Sequence, residues 1–142
     1  DVVMIPEKEY QKIIKSMPIF CVDFLFKCGD KHLLIKRNEE PCKGLYWVVG
    51  GRLFHKEKIH ELAERVHKRE VGKYYSNFKI IGISNYIFPD VPNSRATHTP
   101  TLLTEVIVDE MFTPKIDNTH SDFIWTTELP QQLKEQTVFF YD

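Results

Sequence analysis

Gly50, Gly51, Glu57, Arg65, Glu70 and Gly72 are the residues of this chain whose kinds and spacing point to chemistry. They lie in the segment GGRLFHKEKIHELAERVHKREVG, a glycine pair followed by a stretch of helical period and closed by a third glycine. A glycine pair lets the backbone turn sharply and brings a bare carbonyl or amide close to a ligand, where a Cβ would obstruct it. Counted at about 100° per residue, Ile59, Leu62, Ala63 and Val66 fall on one side of the helix, and Glu70 falls with them. An unpaired carboxylate on an inward face is costly, so Glu70 implies a neutralising partner, either a metal ion or an arginine. Glu57, Glu61, Glu64 and Lys68 fall on the opposite side and read as a solvated face. Arg65 has two readings, an ion pair within the segment or a contact to substrate.

The histidines of the same helix suggest no metal centre. HELAE at 60–64 misses the zinc-protease pattern because Glu64 stands where the second histidine belongs. His60 and His67 share a face but are separated by about 10 Å of helix, too far for one ion. Both read as surface residues.

Several other elements must position this segment. PEKEYQKIIKS (6–16) starts with proline and spaces Tyr10, Ile13 and Ile14 as a short amphipathic helix. IFCVDFLF (19–26) and HLLIKR (32–37) read as strands joined by a Gly-Asp turn, and LYWVV (45–49) leads into the glycine pair. The segment from 57 to 71 is the strongest helix. FKIIGISNYIF (78–88) and TLLTEVIV (101–108) are further strands, joined by a proline-rich exposed connector. DFIWT (122–126) is a last strand before a polar helix near 127–136. Mixed strands with few helices, without internal repeat, imply an α/β layered domain.

Composition narrows the field. With 142 residues, 42% apolar and 27% charged, the chain suits one globular domain, 1–142. A formal charge of -1 with scattered basic residues gives no footprint for nucleic acid, so any grip on phosphates is local. Cys21, Cys28 and Cys42 share no metal spacing and read as thiols of a reducing, cytoplasmic compartment. No apolar run approaches the ~20 residues that span a bilayer, and no signal-like segment opens the chain, so no membrane partner is expected.

The glycine-bounded segment resembles the Nudix box, a loop-helix-loop that holds a divalent metal against a diphosphate. Val66 and Arg69 stand where an ordinary box has glutamates, which leaves Glu70 as the remaining acid of the cluster. One acid with an added cation cannot stabilise two or three hard dications. SMPIFCVDF (16–24), LLIKR (33–37), GLYWVVGGR (44–52) and DNTHSDFIW (117–125) are similar to the GDP-mannose mannosyl hydrolase branch, which lacks those same acids. The resemblance covers nearly the whole chain and implies a Nudix-type α/β/α sandwich with a mixed sheet.

The resemblance implies a nucleotide-sugar hydrolase that breaks the anomeric C–O bond with inversion, using one Mg²⁺, with Mn²⁺ as the alternative. The Gly50 carbonyl, the Glu70 carboxylate and Thr119 would hold the metal. Arg37 and Arg52 would neutralise the leaving diphosphate, His120 would be the general base, and Asp23 and Arg65 would touch substrate. It also implies a homodimer. Thr119 replaces a glutamine ligand of the branch, Val49 a proline, Tyr86 a histidine and Thr99 a tyrosine. Read from the residues, Arg37 ends a strand and Asp23 alternates with apolar neighbours, so solvent exposure is the rival for both. Two other functions stay open: a weakened nucleotide-sugar-binding module, and a conventional pyrophosphatase acting on ADP-ribose-like substrates.

Overall fold

The computed structural model describes residues 4–115 and 120–141, with the backbone alone for His120 and Ser121. Strand β1 (Cys21–Cys28) is the axis of the molecule. It pairs antiparallel with β2 (Lys31–Arg37) at one end and with β4 (Val49–Arg52) at the other, and parallel with β6 (His98–Ile107) along its length. The sheet continues from β6 to β5 (Phe78–Ile87) and β8 (Thr137–Phe139), while β2 carries β3 (Tyr46–Trp47) and β7 (His120–Thr126). The result is an eight-stranded mixed sheet, as the α/β reading anticipated.

The near-continuous apolar run of β1 follows from burial on both faces. Val22, Phe24 and Phe26 point to one side and pack with Leu62, Ala63 and Val66 of helix α2 (Ile59–Glu70). Leu25 points to the other, into a cluster with Trp47, Tyr86, Leu103 and Leu133. The two-residue period of a strand puts Asp23 on the face of Leu25, away from α2. Asp23 is buried, which overturns its solvent-facing reading. Among the described residues no helix is long and apolar enough to cross a membrane.

Helix α2 begins two residues later than 57, where the Lys58 N–H donates to the Glu61 carboxylate at 2.9 Å. It ends on Gly72, whose φ of +85° suits glycine and whose N–H donates to the His67 carbonyl. Helix α1 (Glu7–Ser16) matches its expected span closely. The expected C-terminal helix shrinks to α3 (Gln131–Glu135), because Pro130 disfavours helical backbone at the residue before it. Beyond it the chain turns back as β8 to pair with β5, a strand that the apolar run at 138–141 did not disclose.

His67 corrects a second expectation. It is fully buried, its Nδ1 accepts the Tyr75 N–H at 3.1 Å, and Phe24 and Phe26 meet its ring edge-on at 4.4 and 5.1 Å. It stands at the border of the apolar arc, and the aromatic cluster extends the core over it. Burial pulls its imidazole down to about 4 from an ordinary 6.5. The unfolded chain therefore binds more protons between those values, and stability must fall as pH drops through that window. His67→Gln keeps an acceptor for Tyr75 and should flatten the loss, giving a smaller Tm difference between pH 7 and pH 4.5 than in the native chain. Circular dichroism melts with parallel pH slopes would remove His67 from this account.

Candidate functional site

The ladder between β1 and β4 sets Asp23 opposite Gly50 and Val22 opposite Gly51. A Cβ on Gly50 would overlap the Asp23 carboxylate, and one on Gly51 would stand 3.0 Å from the Val66 methyl. Both glycines are thus required by close approach, the first on the Asp23 face and the second on the α2 face. Around them opens a cavity of about 360 Å³, lined by Asp23, Trp47, Tyr86 and the glycine pair together with Arg37, Arg52, Arg65, Arg69 and Arg95. That volume is in the range of small-ligand sites.

The end of α2 meets the glycine pair through Arg69. Its Nε and Nη2 donate to Glu70 Oε1 at 3.0 and 2.9 Å, and Nη2 also approaches the Gly50 carbonyl at 3.4 Å. The Glu70 side chain is only 5% exposed, while that of Arg69 is 45% exposed. Of the two partners that the buried carboxylate called for, the arginine is present.

Arg65 realises one of its two readings and keeps access to the other. It binds Glu57 through Nε and Nη2, both at 2.9 Å, and donates to the Arg52 carbonyl at 3.0 Å while still bordering the cavity. Glu57 is accordingly no solvated charge, its side chain being 8% exposed. Burial works to raise its carboxyl, but the hydrogen bonds from Arg65 and the Phe54 N–H outweigh it and hold the group below its ordinary value. The helical count missed this because Glu57 precedes the helix and turns back onto it.

Aromatic rings hold the remaining guanidinium groups. Arg52 lies 4.4 Å from the Phe54 ring centre and 5.5 Å from that of Tyr10, Arg65 lies 3.8 Å from Phe54, and Arg95 lies 4.5 Å from Tyr10. Helix α1 thereby serves the site, because it supplies Tyr10 and the Glu7 partner of Arg95. The Arg37 Nε donates to the Pro41 carbonyl at 2.8 Å, fixing a side chain that lines the cavity and does not simply end a strand in solvent. Burial pushes the Asp23 carboxyl up to about 8 against the pull of Arg37. At neutral pH it is largely protonated, a donor at the floor of a cationic cleft.

Asp23, Arg37, Gly50, Arg52 and Arg65 all line one cavity, and Glu70 is tied to it through Arg69. Thr119 lies outside the described residues. The backbone of His120 pairs with Arg37 in the ladder between β2 and β7, and its side chain lies outside the described residues. Arg69 and Arg95 joined the site unassigned from sequence. Arg69 was legible as the arginine that Glu70 required, whereas Arg95, in the proline-rich connector, had no local signal. Among the described residues no group of three or more His, Cys, Asp or Glu side chains is arranged to hold a metal. Of the three donors expected for a dication, the Gly50 carbonyl and Glu70 are met by a guanidinium, and these two as they stand do not fit one.

No protein-family model matches the chain. The low-salt glycan biosynthesis protein Agl8 of Haloferax volcanii is 27% identical over 108 residues, 75% of this chain and 69% of that protein. Solved structures of similar fold include two Nudix proteins. The MutT Nudix hydrolase of Burkholderia pseudomallei gives a TM-score of 0.69 at 17% identity, over 84% of this chain and 95% of that one. The Nudix domain of Shewanella oneidensis NrtR, complexed with ADP ribose, gives 0.61 at 17% identity, over 85% and 82%. The mixed sheet, the glycine-bounded helix and these structural likenesses together give the chain the Nudix hydrolase fold.

Proposed function

We propose that this protein is a nucleotide-sugar hydrolase that cleaves at the anomeric carbon, with GDP-mannose as the first substrate to test. The observation that carries the reading is the cleft itself, where Arg37, Arg52, Arg65, Arg69 and Arg95 surround a glycine pair above a buried Asp23. Five permanent cations suit a diphosphate, and the adjoining Trp47, Tyr86 and Phe88 offer apolar surface for a nucleoside. The chemistry is then displacement of a good leaving group. A water oxygen bonds to the anomeric carbon, the bond from that carbon to the diphosphate oxygen breaks, and the electron pair leaves with the diphosphate.

Arg37 and Arg52 stabilise the charge that develops on the departing oxygen. His120 takes the proton of the attacking water as the general base, a task to which imidazole is suited. Asp23, carrying its proton, donates a hydrogen bond to the substrate and adds no negative charge beside the diphosphate. The expected metal set of Gly50, Glu70 and Thr119 contributes no step here. Attack on phosphorus by several metals is disfavoured because Val66 is fully buried under Gly51 and Arg69 is a cation. The ADP ribose bound by the NrtR domain supports the nucleotide-sugar class. The second reading, a binding module with little turnover, is favoured by the same guanidinium on the Gly50 carbonyl and Glu70.

Incubation with GDP-mannose, followed by phosphorus and anomeric-proton NMR, should show GDP and free β-mannose. GMP with mannose 1-phosphate would sink the C–O reading, and tight binding without product would select the binding module. His120→Gln should lower turnover by ~10² to 10⁴ with little change in melting temperature, and unchanged turnover would remove it from the mechanism. Asp23 carries its own signature in stability. Its folded value of about 8 lies above an ordinary 3.8, so the folded chain binds the extra proton and the buried group costs more stability as pH rises between them. Asp23→Asn should therefore raise Tm by several degrees more at pH 9 than at pH 5, and a pH-independent difference in thermal melts would contradict this.

A further inference from the structure

We infer that Arg69 supplies the positive charge between the Gly50 carbonyl and the Glu70 carboxylate, so that the cleft takes a diphosphate without a divalent metal. The inference rests on reading the cleft as a diphosphate site, and it replaces the Mg²⁺ that the resemblance implied. Arg69 Nε and Nη2 hold Glu70 at 3.0 and 2.9 Å, and Nη2 reaches toward the Gly50 carbonyl at 3.4 Å. One guanidinium thus spans the Gly50 and Glu70 oxygens, two of the three donors expected for a metal.

The charges suit an arginine better than a dication. Val66, one turn earlier on α2, is fully buried and apolar, so α2 brings no second carboxylate beside Glu70. A dication entering here would meet one carboxylate already neutralised and a like charge a few Å away. Nearly half of the Arg69 side chain remains exposed, which lets the same group face the cavity while it holds Glu70. Arg65, one turn back, completes the arrangement. A Cβ placed on Gly51 would stand 3.7 Å from Arg69 Nη2 and 4.0 Å from Arg65 Nη1, so two guanidinium groups flank the bare backbone. Planar forks beside an unobstructed main chain match the paired oxygens of a diphosphate.

The test uses the full chain with two simple probes, Mn²⁺ alone and inorganic diphosphate alone. Electron paramagnetic resonance of free Mn²⁺ should show no Glu70-dependent site in the native protein. R69A should gain such a site, and R69A with Glu70→Gln should lose it. Calorimetry in EDTA should show diphosphate binding to the native protein, weakened about tenfold or more in R69A and partly kept in R69K. A Mn²⁺ site in the native chain that Glu70→Gln abolishes would overturn the inference, as would native diphosphate binding that vanishes in EDTA. Both native measurements stand even where R69A fails to fold. Diphosphate binding in EDTA together with inert GDP-mannose would defeat the hydrolase reading and leave the role of Arg69 intact.

Discussion

The buried carboxylate of Glu70 is the constraint around which the site is arranged. Placed at the inner end of α2, it has lost most of its water and must be neutralised by something that can reach that depth. The neighbouring residue in sequence does so, and in doing so ties the helix end to the Gly50 carbonyl. A shift of the helix along the sheet would carry both residues with it and break the contact of Arg69 with the Gly50 carbonyl. Position and electrostatics are therefore set by the same few atoms.

From that anchor the rest of the cleft follows. The glycine pair has to lie close to Asp23 on one face and to Val66 on the other, which requires β4 to pair with β1 in its observed register. That register sets Arg52 opposite Cys21 as the last pair of the ladder, with its guanidinium over the rings of Phe54 and Tyr10. The Tyr10 ring in turn receives Arg95 from a connector distant in sequence. Aromatic faces and carboxylates thus space several like charges that would otherwise repel.

Much of this was legible in the amino-acid sequence where the signal is local. The period of α2, the strand-like run of β1 and the demand of Glu70 for a partner are statements about neighbouring residues, and the fold bears them out. What escaped were contacts that close over distance. His67 joined the core because aromatic residues from β1 and from the segment after α2 surround it, which no helical count contains. Glu57 turned inward because a loop preceding the helix folds back to Arg65. Strand β8 formed because β5 had an open edge to pair with, and Arg95 entered the site on a loop without a pattern of its own.

The concentration of arginines in one cleft has a further consequence for how ligands arrive. The chain as a whole carries a formal charge of -1, so its field at long range is weak and offers no attraction to a distant anion. Inside the cleft the sign reverses, and counter-ions confine that reversal to about 8 Å in physiological salt. An anion therefore diffuses over the surface unguided and is captured only at the mouth. Capture of this kind makes association modest in rate and leaves discrimination to the shape and stacking of the bound molecule.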